Sequence, residues 1–158
     1  MASCSGSIAG GCRRLRIFTE VSVITTSSQG NRPHIVVVSE DSYTLRRLRE
    51  LLAVHSVLLH LFLSTKDLLA GEALGDSDCL VLESRFSDMD GLALFSDLKQ
   101  NFSSLPPTII LAGGDESGQR AVEAMKAGAF DYIEKPFTSS RMVLALNAAM
   151  KTDLLRAR

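Results

Sequence analysis

From Pro33 onward, short apolar runs alternate with longer stretches whose apolar residues recur every three or four positions. Ile35-Val-Val-Val38 is continuous and β-branched, which predicts a strand buried on both faces. Ser42 predicts a helix cap, and the helix it opens carries Leu48, Leu51 and Leu52 on one face. Val57 to Leu63 predicts a second strand, and Ser64 caps a short helix, Thr65 to Ala70, that Gly71 ends. Cys79 to Leu82 predicts a third strand, closed by the carboxylate of Glu83 and followed by a polar loop to Gly91. Gly91 opens a helix with Leu92, Phe95, Leu98 and Phe102 at helical spacing. Pro106-Pro107 stops any helix, and Thr108 to Leu111 predicts a fourth strand. A loop, Ala112 to Gly118, precedes a helix through Ala127, with Gly128 at its C′ position. Asp131 to Glu134 predicts a fifth strand, and Thr138 to about Arg156 a last helix.

Strand and helix alternate five times, which predicts an α/β fold with a doubly wound, five-stranded parallel sheet. Right-handed crossovers then place helices on both faces. An acid at the carboxyl end of a buried strand stands where ligand chemistry collects in such sheets, and Glu83 is that acid.

Composition narrows the class without changing this picture. The chain has 158 residues, enough for one domain with a real core, and 46% of them are hydrophobic. A net charge of −1 points neither to direct nucleic-acid binding nor to an anionic membrane. No apolar run approaches the roughly 20 residues that span a bilayer. Cys4, Cys12 and Cys79 are odd in number and irregular in spacing, which fits neither a disulfide framework nor a CxxC metal site and suits a reducing cytoplasm. Cys79 reads as a small buried apolar residue.

Residues 1–32 differ from the rest. They are rich in Ser, Gly and Thr, their first acid is Glu20, and Arg13, Arg14 and Arg16 cluster. Three readings of this segment stand: a disordered tail, an organelle transit peptide, and a start codon assigned too far upstream, with Val21 as a GTG start. A secretory signal is excluded, because no apolar stretch of adequate length precedes a small-residue cleavage site. Phe18 to Ile24 alternates well enough for a short edge strand. The expected division is therefore an extension over 1–32, a domain over 33–151 and a helical tail over 152–158.

Two stretches carry a family resemblance. Pro33-His-Ile-Val-Val-Val-Ser-Glu-Asp41 is similar to the pattern P-x-I-L-V-V-D-D-D. Ala121-Val-Glu-Ala-Met-Lys-Ala-Gly-Ala-Phe-Asp-Tyr-Ile-Glu-Lys-Pro-Phe137 is nearly a receiver signature. With the loop after Glu83, which is similar to x-x-M-P-x-M-x-G, these stretches resemble response-regulator receiver domains of two-component, or phosphorelay, signalling. The resemblance implies a flavodoxin-like fold without enzymatic activity of its own. It also implies an acidic pocket in which an Asp at the position of Glu83 accepts a phosphoryl group. Two acids after the first strand hold Mg²⁺ with that Asp, and a Ser or Thr and a Lys grip the phosphoryl oxygens.

Residue by residue, Lys135 matches the pocket lysine, and Pro136 follows it through a bond the resemblance implies is cis. Tyr132 matches the switch aromatic and Glu40 the second acid. Ser39 stands where the first acid belongs, Ala112 where the Ser or Thr belongs, and Glu83 where the Asp belongs. Sliding the register by one would pair Glu40 with Asp41, but it places Arg49 at a usually buried helix position. Asp88 and Asp90 read as solvated turn acids. Glu83, Glu40 and Lys135 are expected in one pocket, with Glu83 and Glu40 a weak Mg²⁺ site.

A Glu reaches one methylene farther than Asp, and about 1 Å of misplacement can cost roughly a hundredfold in transfer rate. Acceptor, first acid and switch hydroxyl have all changed together. The expected function is thus an atypical, phosphorylation-independent pseudo-receiver. It would act by contact with a histidine kinase, an effector domain or a second copy, through the face of the fourth helix, fifth strand and last helix. Two alternatives stand beside it: a working phosphoacceptor that uses Glu83 or a nearby Asp, and a flavodoxin-like domain that binds a small ligand. The Gly113-Gly114 loop is the one hint of phosphate binding, and no Gly-rich fingerprint precedes the first helix.

Overall fold

A computed structural model describes residues 32–55, 57–70 and 73–157, with side chains to residue 150. The chain runs β1 (His34–Val38), α1 (Ser42–Leu52), β2 (Leu58–Phe62), α2 (Thr65–Ala70), a 3-10 turn (Ala73–Asp76) and β3 (Cys79–Glu83). It continues through α3 (Gly91–Asn101), β4 (Thr108–Ala112), α4 (Gly118–Lys126), β5 (Asp131–Glu134) and α5 (Ser139–Ala157). All strand pairs are parallel, in the order β2-β1-β3-β4-β5. The expected α/β fold, a doubly wound five-stranded parallel sheet, is the fold observed. The extension, its edge strand, Cys4, Cys12 and the helix stop at Gly71 lie outside the described residues.

Period-two alternation sorts the strands onto two cores. Ile35, Val37, Val81, Ile109 and Ile133 face α1 and α5, where Leu48, Leu52, Met142 and Leu146 cover them. Val36, Val38, Leu80, Leu82 and Ile110 face the other side, against Leu68 of α2 and Leu92, Phe95 and Leu98 of α3. Every residue of β3 and β4 is buried, which is why these strands read as unbroken apolar runs.

Three local expectations change. Asp41, not Ser42, caps α1: its carboxylate accepts the Tyr43 amide at 3.1 Å and the Thr44 hydroxyl at 2.6 Å. A carboxylate at a helix start also gains from the helix dipole, which a Ser hydroxyl does not. Phe102 leaves α3 in an extended conformation and is 37% exposed, so it does not extend the buried stripe. Asp90 is no idle turn acid: it caps α3 through the Ala93 amide at 3.2 Å. Gly128 does follow α4 with φ of 103°, a conformation that suits glycine.

Candidate functional site

Strand register brings the site together. Val38 pairs with Leu82, Glu83 with Leu111, and Ala112 with Glu134, so the carboxyl ends of β1, β3, β4 and β5 form one edge. Glu83 projects there with 6% of its surface exposed. Lys135 Nζ donates to its two carboxylate oxygens at 2.9 and 3.0 Å. The hydroxyl of Ser39, fully buried, donates to Oε2 at 2.7 Å. The Ser39 oxygen in turn accepts the Asp41 amide at 3.0 Å. A charge this deep needs a partner of opposite sign and further hydrogen bonds, and Glu83 has both. The Lys135–Pro136 peptide bond is cis.

The loop after Glu83 folds back tightly. The Gly91 amide donates to the Ser84 carbonyl at 2.8 Å, and a side chain at Gly91 would collide with the Glu83 carbonyl oxygen and the Ser84 backbone. That close approach is the physical reason for a glycine there.

Glu40 does not join Glu83. It is exposed and turns to the loop, where its carboxylate accepts the Ser87 amide at 2.8 Å and the Ser87 hydroxyl at 2.9 Å. Asp41 is engaged in capping α1. The Thr44 hydroxyl, opposed by partial burial and helped by the Tyr43 amide and the Lys135 charge, holds its carboxyl below the usual range. Among the described residues, no three His, Cys, Asp or Glu side chains are grouped to hold a metal ion. Glu40 and Glu83, the pair expected to hold a metal, make separate sets of bonds here. Mg²⁺ asks for several oxygen donors at once, and here Ser39 supplies a hydroxyl bound to Glu83 while Lys135 occupies the carboxylate. The donor set does not fit the ion.

Ala112 is fully buried at the end of β4, and its carbonyl accepts the Lys135 amide at 2.8 Å. The Gly113 amide, part of the expected phosphate-binding hint, donates instead to Glu116 at 3.3 Å. The half-buried Tyr132 turns its hydroxyl into the protein, where it has no hydrogen-bond partner among the described residues. Burial, then the nearby Glu116 charge, pushes its phenol up from the ordinary value.

Beside the pocket lies a cluster that residue patterns did not announce. The buried Ser84 hydroxyl donates to the Glu116 carboxylate, at 2.7 Å to Oε2. Arg120 Nη2 donates to the Ser84 carbonyl and to Asp90 Oδ1, both at 2.6 Å. The spacing of Glu116 and Arg120 fits a pair across one helical turn, at 3.6 Å here. Nothing in the sequence pointed to Ser84.

A family model for the response regulator receiver domain matches residues 35–147. The chain belongs to the response-regulator receiver family. It is 37% identical over 117 residues to the C4-dicarboxylate transport transcriptional regulatory protein DctR of Rhodobacter capsulatus, covering 73% of this chain and 58% of that protein. It is 32% identical over 121 residues to the transcriptional regulatory protein TdiR of Thauera aromatica, covering 77% and 52%. The receiver thus spans about half the length of these curated relatives. The receiver domain of NtrX from Brucella abortus superposes with a TM-score of 0.66 at 28% identity, over 75% of this chain and 98% of that one. A response regulator receiver domain protein from Clostridium thermocellum superposes at 0.70 with 25% identity, over 78% and 98%. The chain is therefore a receiver domain of the kind found in two-component response regulators. No described helix is long and apolar enough to cross a membrane.

Proposed function

We propose that this receiver works without phosphorylation, as a pseudo-receiver that signals through protein–protein contact. The observation that carries this reading is the closed pocket: both oxygens of Glu83 are already bonded to Lys135, and one of them also to Ser39. A phosphoacceptor must present a free carboxylate oxygen in line with the donor, and a one-methylene displacement is costly. The lysine that would grip a transferred phosphoryl group instead neutralises Glu83. The buried methyl of Ala112 offers no hydroxyl to such a group. The outward turn of Glu40 takes that acid away from Glu83.

The contact face in this reading is formed by α4, β5 and α5. Val122 and Met125 on α4 are about half exposed, and Leu144 on α5 is 67% exposed. Arg141 of α5 bonds Asp131 of β5 at 2.9 and 3.0 Å, which braces the two elements as one surface. Its occupant would be a histidine kinase, an effector domain or a second copy of the chain.

The test is incubation with acetyl phosphate and Mg²⁺, read by intact-protein mass spectrometry. The unmodified chain is expected to gain no phosphoryl group. Glu83→Asp alone should gain slight labelling, and Glu83→Asp with Ser39→Asp more, because acceptor and metal site act as one unit. Robust labelling of the unmodified chain would establish the working-phosphoacceptor alternative instead.

A further inference from the structure

Ordinary coupling between a receiver pocket and its partner face needs a switch hydroxyl, and this chain has Ala112 in that place. A different set of bonds spans the same distance. Ser84, the residue after Glu83, is 1% exposed and donates to Glu116. Glu116 lies in the loop between β4 and α4 with 8% of its side chain exposed. Its carboxylate also takes the Gly113 amide, so it ties both ends of that loop together. Arg120, in the first turn of α4, returns to the Ser84 carbonyl and to the cap of α3 at Asp90.

We infer that Ser84, Glu116, Arg120 and Asp90 form a latch that holds α4, and with it the partner face, in one position without any phosphoryl group. The inference rests on the phosphorylation-independent reading and says how the output conformation is then set. Three features carry it. The bonds join segments 30 to 36 residues apart, so they tie the loop after β3 to the loop and helix start after β4. Glu116 and Arg120 are largely withdrawn from water, at 8% and 15% side-chain exposure, where charge-assisted bonds hold geometry more firmly than on the surface. Opposite charges also meet within the cluster: Glu116 and Asp90 face Arg120, and the exposed Arg85 has its Nε 3.8 Å from Glu116.

Release of the latch has a built-in reporter. The unpartnered Tyr132 hydroxyl is buried close enough to Glu116 and Arg120 to feel their charges. The other tyrosine, Tyr43, is 61% exposed, so Tyr43→Phe leaves Tyr132 as the one phenol in the ultraviolet spectrum.

Amide hydrogen exchange on the full chain tests the latch. Ser84→Ala and, separately, Arg120→Lys are expected to speed exchange in 113–126 at least tenfold while α1 and α5 change less than twofold. In the Tyr43→Phe background, Ser84→Ala should also shift the Tyr132 absorption titration. Unchanged exchange in α4 for both variants would overturn the latch, as would a uniform increase across the chain, which reports general destabilisation. Mass spectrometry of the same unmodified protein after acetyl phosphate treatment separates the two readings. Labelling refutes the phosphorylation-independent reading, whereas an unlabelled chain with unaltered α4 exchange refutes the latch alone.

Discussion

Glu83 and Ser84 are neighbours in the chain, yet they belong to two differently built regions. Successive residues of an extended segment face opposite sides of a sheet. Glu83 accordingly turns to Lys135 and Ser39 at the ends of β5 and β1, and Ser84 turns beneath α4 to Glu116. The pocket is one acid, one cation and one hydroxyl, all delivered by strand ends. The corner under α4 is two acids and two arginines, delivered by loops and a helix start. Strand ends are held by the sheet's backbone ladder, which fixes where the pocket residues start. The corner has backbone bonds as well, the Ser84 amide to the Leu111 carbonyl and the Gly91 amide to the Ser84 carbonyl, but its link to the start of α4 runs through side chains, which makes that link the part whose state can change.

The largest expected effect breaks the pocket. Lys135→Met removes the cation from a buried carboxylate and should cost about 3 kcal/mol, toward the low end for buried pairs because Lys135 keeps a quarter of its side chain in water. Urea denaturation should show a lower midpoint at an unchanged slope. If stability hardly moves, water reaches Glu83 and the pocket is not closed.

Gly91→Ala strikes both regions at once, because the new methyl would meet the Glu83 carbonyl oxygen and the Ser84 backbone. The expected cost is about 2 kcal/mol, in the range for overpacking. Thermal unfolding should register it, with α3 and α4 exchanging faster than α5. A neutral result would mean that the loop has room to shift and that pocket and corner are less tightly joined.

Ser84→Ala sharpens the comparison by touching the corner alone. Glu116 loses one donor but keeps the Gly113 amide and, at 3.6 Å, the charge of Arg120, so the local opening free energy of 113–126, read by amide exchange, should fall by about 1.5 kcal/mol. The double variant with Lys135→Met should be additive within roughly 0.5 kcal/mol if the regions are independent. A larger coupling would show that they form one unit.

The smallest effect tests the pocket's rim. Asp41→Ala removes the α1 cap and should cost about 1 kcal/mol near neutral pH. Its carboxyl titrates lower in the folded than in the unfolded chain, held down first by the Thr44 hydroxyl. Its contribution is therefore complete above about pH 4 and lost as pH falls through the folded value. Urea midpoints of variant and unmodified protein should converge on acidification. A constant gap would assign the loss to packing rather than to the charged cap.

The fold was legible because its signals are local. Each strand is a continuous apolar run, each helix repeats its apolar residues at 3.6, and the prolines and Gly128 mark boundaries where the structure has them. The pocket was half legible. Glu83 ends β3 and Lys135 follows β5, on either side of β4 in a parallel sheet, so strand order alone brings them to one edge. Glu40 could not be placed the same way, because it stands one residue past the buried Ser39 and its direction depends on a loop 47 residues away. Asp41 and Ser42 could both cap a helix, and only the backbone geometry at Asp41 chose between them.

What the sequence determined by itself was the order of elements, the parallel sheet and the identity of the acid at its edge, since periodicity and register follow from neighbours in the chain. What only the tertiary structure decided was which charges meet. Ser84, Glu116, Arg120 and Asp90 share no spacing that marks them as a set, apart from one helical turn between Glu116 and Arg120. Hydrogen bonds between side chains are short and directional, and whether distant residues come within 3 Å depends on how two loops and two helix ends pack over one corner of the sheet.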